Sequence, residues 1–179
     1  MKLIVLDRDG VINHDSDDYI KSKEEWLPVD GSLEAIARLN HGGYTVVVAS
    51  NQSGIGRGYF DIEALSAMHK KMDDMLTKVG GRVDAVFYCP HKPDDGCDCR
   101  KPKPGMLLEI GQRFNVSLKD VVFIGDSVSD IKAASNANSK AMLVRTGKGV
   151  KAEKILLAEC KASIPVYDDL AAAVAAILQ

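Results

Sequence analysis

The sequence shows no strong excess of charge of either sign. Its 179 residues include 23 lysines and arginines against 25 aspartates and glutamates, which gives a formal net charge of -2. A protein that grips a nucleic-acid backbone over a broad surface normally carries a basic face. We therefore expect no nucleic-acid partner.

Long hydrophobic runs are also missing. The longest run, LAAAVAAIL at residues 170–178, is too short to cross a bilayer. The first residues, MKLIVLDRDG, have neither the apolar length nor the small-residue cleavage site of a signal peptide. These absences lead us to expect a cytoplasmic protein with no membrane partner. No linker, repeat or low-complexity segment divides the chain, so we predict a single domain over residues 1–179.

Short apolar runs alternate with segments of helical periodicity. The apolar runs predict strands at residues 2–7, 45–50, 84–89, 120–126, 140–144 and 164–167. The periodic segments predict helices at residues 31–43, 61–81, 104–115, 129–137, 152–160 and 168–178. This alternation is typical of a doubly wound α/β fold, with a mostly parallel sheet and helices on both faces. In that fold class, ligands bind at the carboxyl ends of the strands.

Carboxylates follow two of the predicted strands directly. Asp7 and Asp9 come at the end of the first strand, and Asp126 ends the fourth. Asp7 and Asp126 at neighbouring strand ends would supply the hard oxygen ligands that Mg²⁺ prefers. The alternatives are a solvated acidic turn for the first pair and a helix N-cap for Asp126. Ser127 or Ser129 would cap that helix equally well.

A second loop offers groups that bind phosphate. The segment SNQSGIGRG at residues 50–58 places Ser50, Asn51 and several backbone N–H groups in a glycine-rich turn. A carboxylate can attack phosphorus to form an aspartyl-phosphate, while Mg²⁺ and a lysine neutralise the phosphoryl oxygens. Because Asp7 lies nearest the strand, it is the better candidate for the nucleophile. Asp9 then serves as the general acid and base.

A loop after the third strand contains three of the four cysteines. Its C-x-H…C-x-C set comprises Cys89, His91, Cys97 and Cys99. Three thiolates and one imidazole complete a tetrahedral shell, so we predict a structural Zn²⁺ site over residues 89–99. A Cys97–Cys99 disulfide would be strained and out of place in the cytosol. The remaining Cys160 is interpreted as a small buried apolar residue in a helix.

Four motifs in order, DRDGV, SNQ, a lysine before a helix and GDSVSD, resemble those of the haloacid dehalogenase-type phosphatases. More narrowly, DRDGVIN, NQSGIGRG and CPH…CDCRKPKPGM resemble the D-glycero-D-manno-heptose 1,7-bisphosphate 7-phosphatases. Histidinol-phosphate phosphatases share most of this pattern. The resemblance covers nearly the whole chain and implies a Rossmann-like phosphatase that depends on Mg²⁺.

The resemblance also implies roles for individual residues. Asp7 would be the phosphorylated nucleophile and Asp9 the general acid and base. Mg²⁺ would be held by Asp7, the backbone carbonyl of Asp9, and Asp126. Ser50 would bind the transferring phosphoryl group and Lys101 would stabilise it. The implied substrate-binding residues are Asp15, Ser16, Asp17, Asp18, Ser50, Asn51, Gln52, Ser53, Arg57, Arg100 and Lys101.

Two positions near the last motif and two after the cysteines carry further expectations. Relatives often have a basic residue where this chain has Ser127, so no family role carries over to the Ser127 side chain. Asp130 is expected to orient the loop rather than bind metal. The zinc site would brace its loop so that Arg100 grips a distal group of the substrate by its planar fork. Lys103 is expected to be solvated.

Substrate selection must come from loops, because the segment at residues 14–30 is too short for a separate cap domain. Its acidic residues 15–18 would either bind sugar hydroxyls or form a solvated loop. Arg57 would meet a second phosphate or be a surface cation. Trp26 would close over the substrate or anchor the edge of the core.

We therefore expect an enzyme that removes the C7 phosphate of D-glycero-D-manno-heptose 1,7-bisphosphate, in the synthesis of ADP- and GDP-heptose precursors. The alternative substrate is histidinol phosphate of histidine biosynthesis. The alternative outside the enzymes is a zinc-stabilised binding module. No apolar stripe indicates a dimer, so we expect a monomer.

Overall fold

The structure is a computed structural model, and it describes residues 1–159 and 164–179. The strands are β1 (Lys2–Leu6), β2 (Tyr44–Asn51), β3 (Ala85–Cys89), β4 (Val122–Gly125), β5 (Lys140–Val144) and β6 (Val166–Tyr167). The α-helices are α1 (Ser32–His41), α2 (Ser53–Gly56), α3 (Ile62–Lys78), α4 (Gly105–Phe114), α5 (Val128–Asn136), α6 (Gly149–Ala158) and α7 (Leu170–Ile177). None of the helices in these two ranges is long and apolar enough to cross a membrane.

The strands form one parallel sheet in the order β3-β2-β1-β4-β5-β6. The central strand β1 pairs on both sides, so that Leu6 lies opposite Val48 of β2 and Ile124 of β4. Because every strand points the same way, the loops after β1, β2 and β4 meet at one edge of the sheet. The predicted doubly wound α/β fold class is confirmed.

Successive residues of β1 face opposite sides of the sheet. Ile4 and Leu6 belong to a core cluster with residues of α1, α3 and α7, whereas Leu3 and Val5 belong to one with residues of α4 and α5. All four side chains are buried. A sheet covered on both faces needs apolar residues at consecutive positions, which explains the continuous apolar runs of the sequence.

Most element bounds differ from the sequence-based predictions by one to three residues, and one short helix was not predicted. The glycine-rich segment after β2 forms the short helix α2 where only a turn was expected. Helix α6 begins at Gly149, earlier than predicted. A side chain at this position would collide with the carbonyl of Val144, so glycine allows the first turn of α6 to pack closely against β5. The prediction for Cys160 falls outside the described residues.

Trp26 is a core residue. Its side chain is fully buried and belongs to the same cluster as Ile4 and Leu6. Lys71 of α3 donates to the Trp26 carbonyl at 2.7 Å and lies 6.0 Å from the indole ring. The hypothesis that Trp26 closes over a substrate is therefore wrong, and its alternative as a core anchor holds.

Candidate active site

The carboxyl ends of the central strands open into a cavity of about 320 Å³. The segments that follow the five strands β1 to β5 contribute to it. The lining residues are Asp7, Asp9, Asp15, Ser16, Asp17, Tyr19, Ile20, Asn51, Gln52, Ser53, Arg100, Lys101, Asp126, Ser127, Ser129, Asp130 and Lys148. The structure thus brings most of the predicted site residues into one cleft.

Asp7 lies beside a buried lysine. The Lys101 ammonium is 3.0 Å from Asp7 Oδ1, within ion-pair distance of Asp130 at 2.6 Å, and donates to the Ala49 carbonyl at 2.8 Å. Burial raises the pKa of the Asp7 carboxyl well above its usual value, the Asp130 charge adds to this, and Lys101 opposes it. Burial alone would lower the pKa of Lys101, but Asp130 and Asp7 raise it instead. A fixed positive charge therefore adjoins Asp7.

Asp9 is held by a different set of donors. Arg8 donates twice to its Oδ1, from Nε at 3.0 Å and Nη2 at 2.7 Å, and Asn13 donates to the same oxygen at 2.8 Å. Gln52 donates to Oδ2 at 2.8 Å. Burial opposes ionisation of Asp9, but the Arg8 charge and these hydrogen bonds bring its pKa below the usual value. The pKa values of the two carboxylates of the DRD segment are therefore shifted in opposite directions, that of Asp7 upward and that of Asp9 downward.

Asp126 is packed tightly against two glycine turns. Any side chain at Gly10 or Gly147, both with positive φ, would collide with its carboxylate. The backbone N–H of Lys148 donates to Asp126 Oδ2 at 2.8 Å. Burial, followed by the charge on Asp130, raises the pKa of Asp126 to about 7. A nearby cation would therefore favour the ionised form of Asp126.

The donor set around Asp7 and Asp126 fits a divalent cation. One oxygen from each of Asp7, Asp126 and Asp130 lies within 4.8 Å of the others. Asp130 already pairs with Lys101 and accepts from the N–H groups of Asp126 and Ser127 at 3.2 and 3.0 Å. Both oxygens of Asp130 are thus engaged, whereas the contacts of Asp7 fall on Oδ1 and that of Asp126 on Oδ2. Asp7 and Asp126 therefore each offer a second oxygen to a hard cation, which would relieve the cost of their burial.

Asp130 and Ser127 organise the loop after β4. The Ser127 hydroxyl accepts from the Asp130 N–H at 3.2 Å and caps α5, while the Asp130 carboxylate accepts from the Ser127 N–H. This capping box fixes the loop that carries Asp126. The geometry agrees with the expected orienting role of Asp130, and it gives Ser127 the cap of the following helix.

The residues after β2 form a second set of polar groups. The buried Ser50 hydroxyl accepts from the Gln52 amide at 2.8 Å, so its own proton is available to a phosphoryl oxygen. Asn51 exchanges two hydrogen bonds of 3.1 Å with the backbone of Lys101. Ser53 begins α2 and lines the cavity. Ser50 is buried and, unlike Gln52 and Ser53, does not itself line the cavity.

The implied substrate residues divide into two groups. Asp15, Ser16, Asp17 and Arg100 line the cavity along with the residues after β2. Asp18 and Arg57 are exposed and lie outside the lining. Within the described structure, Arg57 is therefore placed as a surface cation.

The cysteine loop gathers four potential ligand atoms. The Cys89 sulfur is 3.6 Å from that of Cys97 and 3.5 Å from His91 Nδ1, which is 3.3 Å from the Cys99 sulfur. A tetrahedral Zn²⁺ with bonds of about 2.3 Å has ligand separations of roughly 3.8 Å. None of these three cysteines is in a disulfide. Burial, with the hydrogen bond that the Cys89 thiol donates to Cys99, raises the pKa of Cys89 to about 12, so a thiolate there needs a cation.

Lys103 has a partner at this loop. Its ammonium donates to the Cys97 carbonyl at 2.6 Å, although the side chain is half exposed. The expectation that Lys103 is simply solvated is therefore incomplete. The side chain ties the cysteine loop to the segment that leads into α4.

The sequence patterns predict no role for three residues of the site, Arg8, Lys148 and Tyr19. Arg8 is fully buried and has Nη1 3.3 Å from His69 Nε2 on α3. In an extended segment, Asp7 and Asp9 project to one face and the residue between them projects to the other. This alternation would have predicted that Arg8 points away from the cavity. Lys148 and Tyr19 line the cavity together with residues that are distant from them in the sequence. Local sequence patterns therefore do not predict their place in the site.

Comparison with known proteins places this arrangement in a family. A family profile described as HAD-hydrolase-like matches residues 98–173. The D-glycero-beta-D-manno-heptose-1,7-bisphosphate 7-phosphatase of Pseudomonas aeruginosa is 53% identical over 177 residues, covering 99% of this chain and 98% of the relative. The protein of the same name from Bordetella bronchiseptica is 50% identical over 179 residues, covering 100% and 99%.

A solved structure agrees with these relatives. The crystal structure of D,D-heptose 1,7-bisphosphate phosphatase from B. bronchiseptica, complexed with magnesium and phosphate, superposes with a TM-score of 0.95. It is 51% identical and covers 100% of this chain and 99% of its own. The chain belongs to the D-glycero-D-manno-heptose 1,7-bisphosphate 7-phosphatase family of haloacid dehalogenase-type hydrolases.

Proposed function

We propose that the protein is a Mg²⁺-dependent phosphomonoesterase that removes the C7 phosphate of D-glycero-D-manno-heptose 1,7-bisphosphate. The observation that carries the proposal is the buried pairing of Asp7 with Lys101 at 3.0 Å, beside Asp126 and inside the cavity. The names of relatives about half identical over the full chain support the substrate. The B. bronchiseptica structure, complexed with magnesium and phosphate, supports the metal.

In the first step, an Asp7 oxygen attacks phosphorus and the bond between phosphorus and the sugar oxygen breaks. Asp9 donates its proton to that oxygen, which leaves as the sugar alcohol. Asp9 must bind a proton for this step, and the Gln52 hydrogen bond to Oδ2 must give way to the leaving oxygen. The Lys101 ammonium stabilises the charge on the phosphoryl group.

In the second step, water attacks the aspartyl-phosphate and Asp9 accepts a proton from that water. The bond between Asp7 and phosphorus breaks, which releases inorganic phosphate and restores the carboxylate. The contacts from Arg8 and Asn13 favour the ionised Asp9 that this step requires. Mg²⁺, held by Asp7, Asp126 and the Asp9 carbonyl, would supply positive charge to the phosphoryl oxygens and organise the reacting groups.

Gln52 links the two catalytic segments. Its amide donates to both Asp9 Oδ2 and the Ser50 hydroxyl, each at 2.8 Å. We infer that this leaves the Ser50 proton directed toward the transferring phosphoryl group, as the family resemblance implies. Asn51 holds the backbone of Lys101 through two hydrogen bonds and keeps the ammonium in register with Asp7.

We further propose that Zn²⁺ bound by the cysteine loop has a structural role. Its four ligands fill a tetrahedral shell, which leaves no position for substrate. The loop leads directly into Arg100 and Lys101, so bound metal would restrict the backbone that carries both cations. The same proposal covers residues 1–179 as one domain that works as a cytoplasmic monomer, which sedimentation of the purified protein would test.

The substrate proposal is tested by parallel kinetics on heptose 1,7-bisphosphate and histidinol phosphate with Mg²⁺. We expect a higher kcat/KM for the heptose bisphosphate, with phosphorus NMR showing that the C1 phosphate remains on the product. A higher kcat/KM for histidinol phosphate would overturn the substrate while keeping the enzyme class. Release of phosphate from neither compound, with Asp7→Asn behaving like the unmodified protein, would overturn the enzyme class.

A further inference from the structure

Three cationic side chains line the cavity in the described part of the chain, and they differ in how tightly they are held. Lys101 is only 2% exposed and pairs with two carboxylates, Asp7 and Asp130. Arg100 and Lys148 are the other two. A substrate with a second charged group must therefore find its partner in Arg100 or Lys148.

Lys148 enters the cavity from the side opposite Arg100. The loop with Arg100 follows β3, and the loop with Lys148 follows β5. The sheet order places those strands on opposite sides of β1 and β4, which carry Asp7 and Asp126. A substrate whose first phosphate lies at Asp7 would thus have a cation on either side.

The backbone of Lys148 is fixed to the proposed metal site. Its N–H donates to Asp126 Oδ2 at 2.8 Å. The preceding Gly147 packs so closely against the same carboxylate that no side chain would fit there. The Thr146 hydroxyl donates to the Gly10 carbonyl at 2.6 Å and ties this loop to the turn after β1. The point from which the lysine side chain extends is therefore set by the catalytic site itself.

The ammonium of Lys148 has a partner that it can exchange. Its Nζ is 3.1 Å from Asp15 Oδ2, and the lysine side chain is 57% exposed. Exposed ion pairs are weak, whereas a phosphate offers more charge and several acceptor oxygens. Asp15 and Asp17 both line the cavity, and the ion pair places Asp15 on the Lys148 side. Without Lys148, that side would repel an anionic substrate.

We propose that Lys148 is a specificity-determining residue that binds a second anionic group of the substrate, with Asp15 holding the ammonium in place until the substrate arrives. The inference rests on the proposed phosphatase function, because it assumes that the first phosphate lies at Asp7. The group recognised is a phosphate at the end of the substrate away from the cleaved ester.

The test compares a sugar bisphosphate with the same sugar carrying only the cleaved phosphate. For Lys148→Met, we expect kcat/KM to fall on the order of tenfold for the bisphosphate, mainly through KM. The fall for the monophosphate should be about twofold. Lys148→Arg should keep most of the preference for the bisphosphate. The matched control is Lys151→Met, an exposed lysine of α6 that does not line the cavity. Equal falls for both substrates would overturn the proposal.

A double variant separates contact from simple neutralisation. If Lys148 acts only by masking Asp15, then Lys148→Met combined with Asp15→Asn should regain the bisphosphate preference, and the proposed contact would be wrong. A persistent loss supports the contact.

Calorimetric affinities for both sugars in an Asp7→Asn background repeat the comparison without turnover. Failure of the unmodified protein to release phosphate would then count against the proposed function alone. A Lys148→Met effect that is equal on both affinities would count against the proposed role of Lys148.

Discussion

Replacing Asp126 with asparagine should stabilise the metal-free protein while weakening its response to Mg²⁺. Burial and the Asp130 charge raise the pKa of Asp126 to about 7, from 3.8 in the unfolded chain. Because the folded pKa is raised, the stability from this group is fully present below about pH 4 and is lost as the pH rises through about 7. At pH 8 the folded protein therefore carries the full cost of the buried charge.

The size of the effect follows from that pKa difference. A difference of about 3 units corresponds to about 4 kcal/mol as an upper bound. Burial is the largest cause of the shift and the Asp130 charge the next, and relaxation around the buried charge lowers the real cost, so removing the charge should recover about half of the bound. An asparagine oxygen can still accept from the Lys148 N–H. We expect the free energy of unfolding at pH 8 to rise by about 2 kcal/mol, which corresponds to roughly 4–8 °C in Tm. At pH 5, about one unit above the unfolded pKa, the gain should fall to about 0.8 kcal/mol.

Chemical denaturation at pH 5 and pH 8 measures this difference after Mg²⁺ is removed by dialysis, without chelators that strip zinc. The matched control is Asp120→Asn, an exposed aspartate before the same strand, which should change stability little. Added Mg²⁺ should stabilise the unmodified protein more than Asp126→Asn at pH 8. A variant that is less stable than the unmodified protein at pH 8 without Mg²⁺ would refute the reasoning.

Three other substitutions test separate parts of the site. Gln52→Leu removes the amide shared by the acid–base carboxylate and the serine hydroxyl. In steady-state assays of phosphate release, kcat should fall on the order of tenfold with a smaller change in KM. The control is Gln112→Leu, at an exposed glutamine of α4. Arg8→Met leaves a buried carboxylate without its counter-ion, so denaturation should show a loss of about 3 kcal/mol, and no loss would contradict the ion pair. Cys97→Ser should remove bound zinc and lower kcat/KM, while Mg²⁺ still stabilises the protein. An unchanged kcat/KM in zinc-free protein would rule out the proposed structural role of zinc.

The fold could be predicted because each strand is apolar at successive positions and each helix is periodic. Leu3 and Ile4 face opposite helix layers and are both buried. A strand that is apolar on both faces fits only the interior of a sheet covered by helices on both sides, which is where β1 lies. The bounds of α2 and α6 were missed for a different reason. Residues 149–151, which open α6, precede the apolar periodicity that predicts this helix, and the close approach of Gly149 to Val144 is a tertiary contact.

The candidate site was predicted where its chemistry follows a strand directly. Asp7 and Asp126 could be placed together because parallel strands end at one edge of the sheet. Arg8 was missed because the motif draws attention to the carboxylates on either side of it. The Lys148–Asp15 pair was missed because it joins two loops far apart in sequence. Such contacts depend on tertiary packing, which a single sequence does not reveal.

The aspartyl-phosphate is the central claim, and trapping it is the most direct test. The protein is mixed in excess with heptose 1,7-bisphosphate and Mg²⁺, quenched in acid within one turnover, and digested for mass spectrometry. The account predicts a phosphoryl group on the peptide that contains Asp7, removed by hydroxylamine and missing in Asp7→Asn. Rapid phosphate release with no phosphorylated peptide at any quench time would contradict it, because water would then attack the substrate directly.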